Sequence, residues 1–61
     1  MIKTIIIEDE KQSREVLQLM LENYSNVIEL VDSCDTAEKG MASIQKHGPQ
    51  LVLINNRAHL F

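Results

Sequence analysis

Three consecutive isoleucines, Ile5-Ile6-Ile7, run straight into three consecutive acids, Glu8-Asp9-Glu10, and that junction limits the folds open to the chain. With Ile2, Lys3 and Thr4 before them, the isoleucines form a β-branched, near-continuous apolar segment. Such a segment suits a strand buried on both faces, as in a parallel sheet. Parallel strands need crossovers, usually helical. The period changes accordingly: Ser13, Val16, Leu17, Met20, Leu21 and Tyr24 recur at three and four, which predicts a helix over about 11–24. Asp9 and Glu10 stand at the positive end of its dipole.

Residues 27–34, Val-Ile-Glu-Leu-Val-Asp-Ser-Cys, read as a second strand. Asp35 and Glu38 then form a variant capping box. Ala37, Gly40, Met41 and Ile44 make a second, narrow helical stripe, and Met20 and Met41 are expected to fill the core. Gly48 at the helix end and Pro49 beyond it stop that helix. The third strand is Leu51-Val52-Leu53-Ile54, and Asn56 to Phe61 has no clear period.

The order β-α-β-α-β predicts an α/β fold with a parallel sheet. Right-handed crossovers stepping in opposite directions give strand order 2-1-3, with one helix on each face. Strand 1 is then central. Its carboxyl end, carrying Glu8 and Asp9, lies at a topological switch point, where open α/β sheets place ligands.

Composition narrows the function. At 61 residues the chain is one small domain, and such domains bury only about 60% of their unfolded surface. Hydrophobic content of 44% and charged content of 25% argue against disorder. The single cysteine, Cys34, excludes an internal disulfide and a multi-Cys zinc site. A net charge of −3 argues against nucleic-acid binding through this segment. The apolar runs are too short for a membrane span, and no signal peptide precedes them, so the expected location is cytoplasmic. There is no Gly-rich phosphate loop, nucleophile elbow or zinc pattern.

Residues 5–10, the amphipathic helix, the second strand, the Gly-bearing second helix and Pro49-Gln50-Leu51-Val52-Leu53-Ile54 resemble the first half of a bacterial response-regulator receiver domain. The Glu8-Asp9-Glu10 and Ser13-Arg14-Glu15 stretches are most similar to receivers joined to LytTR-type DNA-binding domains. The resemblance covers residues 1–54. It implies a flavodoxin-like half-domain at 1–55, truncated after strand 3, followed by an unmatched tail at 56–61. The family places its phosphoacceptor Asp at the end of strand 3, which here is Asn55. Its switch Thr/Ser and its Lys, on later strands, have no counterpart.

The resemblance implies a phosphorelay module served by a histidine kinase, with Asp9 as the direct Mg2+ ligand and Glu8 acting through water. Magnesium is held by few carboxylates and several waters. Asn55 removes one charge and cannot form an acyl phosphate, so weak Mg2+ binding and no phosphorylation are expected. The chain is not expected to be an enzyme. A bland reading stands beside this one: acids at a strand-to-helix junction also serve as helix-start partners, worth about 0.3–1 kcal/mol each. Glu10 reads as such a solvated charge, Cys34 as a small buried apolar group, and His47 as a helix-end cation. His59 has no partner at ligand spacing. The alternative function is a self-associating structural or interaction fragment. Without a fourth strand, Leu51 to Ile54 would form an open apolar edge. That predicts a homodimer pairing strand 3 with its own copy, or a strand-swapped oligomer.

Overall fold

The computed structural model describes residues 1–61. Strand β1 (Ile2–Ile7) leads to helix α1 (Lys11–Glu22), β2 (Ile28–Cys34), α2 (Ala37–His47), β3 (Leu51–Ile54) and β4 (Arg57–Leu60). The sheet order is β2-β1-β3-β4. The first three strands are parallel in the expected 2-1-3 order, with Thr4–Ile7 beside Leu51–Ile54. The sheet as a whole is mixed, because β4 pairs antiparallel with β3. The expected three-stranded, fully parallel sheet is therefore corrected, and so is the patternless tail. No helix is long and apolar enough to cross a membrane.

The physical reason for β4 lies in two residues. Asn55 and Asn56 have φ of 49° and 68°. Positive φ at both central residues is the signature of the type I′ hairpin turn, whose twist matches that of the flanking strands. Asn tolerates this left-handed region because its side chain hydrogen-bonds locally. The Asn-Asn pair thus turns the chain back on itself, and Arg57–Leu60 occupies the edge of β3 that was expected to stay open.

Side-chain parity assigns the two faces. Gly40 of α2 lies against Ile7, where an added Cβ would overlap the Ile7 side chain. This close approach puts α2 on the face of Ile5, Ile7 and Val52. There Ile5, Ile7, Cys34 and Val52 form the core, with Val31, Ile44 and Ile54 packed around it. Helix α1 takes the opposite face, over buried Thr4 and Ile6, with Leu17 as its buried anchor. The helical stripes are partly displaced from expectation. Val16, Met20 and Tyr24 are more than half exposed, and Met41 is 61% exposed, so neither Met20 nor Met41 fills the core. On α2 the inward residues are Gly40 and Ser43, with Ile44 beside them. Ser43 can be buried because its hydroxyl donates to Asp32 of β2.

Helix ends follow local chemistry. Thr36, not Asp35, caps α2: its Oγ1 accepts from Lys39 N at 3.1 Å. Asp35 instead pairs with Lys39 Nζ at 3.0 Å. Gly48 closes α2 with φ 56°, and its N–H donates to Ile44 O. This is the left-handed C-terminal position that glycine occupies without penalty.

Candidate functional site

The carboxyl ends of β1 and β3 are adjacent, so Glu8 and Asp9 follow Ile7 while Asn55 follows Ile54, its register partner. The ladder continues one step further, with Asn55 N donating to Ile7 O at 3.1 Å. On the other side, Glu8 N donates to Cys34 O at 2.9 Å. The strand ends that carry the predicted site residues are therefore fixed by backbone hydrogen bonds.

The two acids differ sharply. Glu8 is 6% exposed, and its Oε2 accepts from Glu10 N at 3.0 Å. Glu10 is the N-cap of α1 but makes no side-chain cap bond of its own. Glu8 thus serves the start of α1 through a backbone N–H, as the helix-start reading anticipated for this junction. Asp9 is exposed and lines a cleft with Asp35, Thr36 and Asn55, over Ile7 and Ile54. The cleft measures about 170 Å³. No three His, Cys, Asp or Glu side chains converge as metal ligands. Asp9 and the amide of Asn55 are the two predicted groups that share the cleft, while one oxygen of Glu8 is engaged with the α1 backbone.

Two residues of this region were not anticipated. Arg14, one turn into α1, donates from Nη1 to Glu8 O at 2.9 Å. It places a cation behind the acidic junction. The signal available in the sequence was only its spacing from Glu8. Asp35 joins the cleft as a second carboxylate opposite Asp9. Its hydrogen bond and ion pair with Lys39 hold its carboxyl below the usual carboxylate range. Asp35 thus stays charged at the mouth.

Of the other residues considered, Cys34 is buried, and burial pushes its thiol pKa up, with the Asp32 charge adding to the effect. A raised pKa suppresses the reactive thiolate, in line with a packing role. His47 sits in the last turn of α2, where a cation favours the dipole. His59 lies on β4, opposite Val52.

No protein-family model matches the chain, and no solved structure matches it. Among curated proteins it is similar to the transcriptional regulatory protein BtsR of Shigella flexneri, 34% identical over 55 residues. The same protein of Escherichia coli strain K12 is likewise 34% identical over 55 residues. The aligned part is 90% of this chain and 23% of each relative, so the chain spans under a quarter of their length.

Proposed function

We propose that the chain is a receiver-derived regulatory module of a two-component response regulator, acting in the cytoplasm without accepting phosphate. The observation that carries this reading is the parallel β2-β1-β3 arrangement, which sets Glu8-Asp9 beside the end of β3 at Asn55. The likeness to a transcriptional regulatory protein supports a signalling role. In this reading a histidine kinase is the partner of the parent family, DNA contact belongs to regions outside this segment, and the chain is not an enzyme.

The donor set in the cleft fits a loosely held Mg2+. Magnesium usually keeps several waters and takes one or two carboxylates. Asp9, exposed at the cleft, would be its direct ligand, and Glu8 would act at a bound water. Bound there, the ion would neutralise charge as an anionic phosphodonor approaches. Asn55 supplies a neutral carbonyl oxygen where an acceptor carboxylate would stand, and its amide is no nucleophile for phosphorus at neutral pH. The test is exposure of the chain and of Asn55→Asp to a radiolabelled small-molecule phosphodonor with Mg2+. No alkali-labile, hydroxylamine-sensitive label is expected on the natural chain, and slow labelling on Asn55→Asp that Asp9→Ala abolishes. Robust labelling of the natural chain, or labelling of Asn55→Asp indifferent to Asp9, overturns the reading.

A second reading, a self-associating interaction fragment, is favoured by one observation: all four residues of β4 are exposed along a sheet edge.

A further inference from the structure

We infer that β4 pairs with β4 of a second copy across a two-fold axis at His59, making one continuous eight-stranded sheet. The inference rests on the self-associating reading and is independent of the phosphotransfer chemistry.

The hairpin fixes which backbone groups are free. A two-residue I′ turn makes its flanking pair, Ile54 and Arg57, a hydrogen-bonded pair. Pairs alternate from there, so Val52 with His59 is hydrogen-bonded and Leu53 with Ala58 is not. The bond from Phe61 N to Gln50 O, 2.9 Å, continues the same alternation. Residues 57, 59 and 61 therefore turn their N–H and C=O groups toward β3. Ala58 and Leu60 turn theirs outward, to the open edge.

The two sheet edges are not equivalent. At β2 the register slips between Thr4 and Ile5, leaving Val31 as an extra, bulged residue. Glu29 and Asp32 add like charges along that strand. Bulges and charges are the usual means of blocking edge pairing. Strand β4 has no bulge, proline or acid. Both helix backbones approach β1 and β2 rather than β3 or β4, so neither helix covers that edge. A head-to-tail β4–β2 contact would propagate without closure, and the β2 bulge opposes it. Pairing of β4 with itself closes as a dimer.

Parity and bond count then select the register. Residues directly opposite in antiparallel strands share a face, so only registers that match 58 and 60 with 58 or 60 use the outward groups. An axis at Ala58 would need Asn56, which is in the turn with φ 68°. An axis at Leu60 pairs one outward residue with itself. An axis at His59 matches Ala58 with Leu60 twice, giving four backbone hydrogen bonds. It joins the apolar row Leu51, Leu53, Ala58, Leu60 to the same row of the second copy and sets Arg57 against Phe61, where guanidinium and ring attract. His59 faces itself in a non-hydrogen-bonded pair, with Cα atoms about 4.5 Å apart. A four-residue edge falls below the roughly 1,000 Å² of a persistent interface, so the dimer is weak and concentration-dependent.

That geometry permits a register-specific test, because a disulfide requires Cα atoms about 4.4–6.8 Å apart. His59→Cys, Ala58→Cys and the natural chain are oxidised side by side, Cys34 being buried in all three. His59→Cys is expected to give a covalent dimer, while Ala58→Cys and the natural chain do not. Sedimentation over a dilution series should show the 7.0 kDa chain approaching twice that mass at high concentration. Ala58→Pro removes one outward donor and leaves the pairing to β3 intact. It should lose the dimer and keep the circular-dichroism spectrum of the fold. Equal crosslinking at 58 and 59, or a folded monomer at millimolar concentration, overturns the inference. So does an Ala58→Pro variant that is folded and still dimeric.

Discussion

Asn55 occupies two positions at once. It stands at the end of β3, where the resemblance places a phosphoacceptor, and it is the first residue of the I′ turn, with φ 49°. Its neighbour Asn56, at φ 68°, has no suggested chemical role, so it isolates the turn requirement. A β-branched residue there meets its own carbonyl, at a cost of roughly 1–2 kcal/mol. Asn56→Val is therefore expected to destabilise by about that amount, and Asn56→Gly to be neutral or slightly stabilising. Urea unfolding of both variants checks this. Equal stability of Asn56→Val and the natural chain would show that β4 contributes nothing to the folded state.

At the scale of elements, α2 lies close against β1 at Gly40. A Cβ on Gly40 would meet Cδ1 of Ile7 first and Cγ1 at 2.7 Å. Gly40→Ala has two opposed effects. Helix propensity gains about 0.8–1 kcal/mol, while overpacking costs roughly 1–3 kcal/mol. The overlap is with a side chain whose tip can turn, yet Ile7 is 8% exposed and packed within the core. Net destabilisation of about 1 kcal/mol is expected from those two ranges. Ile7→Val removes Cδ1, so the double variant should be more stable than the sum of the two losses predicts. Additive effects in that double-mutant cycle would mean the two side chains do not meet.

For the whole molecule, Asp32 ties the edge strand to a helix. It accepts from Ser43 Oγ on α2, from Ser33 N at 2.8 Å and from Cys34 Sγ at 3.5 Å. The Ser43 hydrogen bond, followed by that from Ser33 N, holds its carboxyl below the usual value of 3.8 despite desolvation. A group with a depressed folded-state pKa stabilises the fold above its unfolded pKa, and that stability is lost as pH falls through the folded value. Stability should hold from neutral pH down to about pH 4 as far as Asp32 is concerned, then fall below it. Asp32→Asn should be less stable at pH 7 and flatter between pH 4 and 2. Thermal unfolding of the natural chain and of Asp32→Asn across that range measures the difference. An unchanged acid limb in Asp32→Asn would remove this residue from the linkage.

Local sequence determined the β-α-β-α-β order, the parallel 2-1-3 pairing and the position of Glu8 and Asp9 at a strand end, because each follows from period, chain connectivity and crossover hand. It also determined the end of α2 at Gly48, where a backbone conformation selects one residue type. Tertiary structure decided what depends on neighbours distant in sequence. Ser43 rather than Met41 faces the core because Asp32, eleven residues away, offers it a partner. Val16 and Met20 stay exposed because α1 lies over β1 and β2 and leaves the β3–β4 side uncovered. Glu8 and Asp9, adjacent in sequence, part company because one carboxylate satisfies the α1 backbone and the other lines the cleft. The fourth strand fell between these cases. Arg57-Ala58-His59-Leu60 is too short and too polar to announce a strand, but opposite Leu51–Ile54 its alternation places Ala58 and Leu60 on one face and Arg57 and His59 on the other. A strand of four residues gains its hydrogen bonds only from a partner, so its existence was settled by β3 and the turn rather than by its own composition.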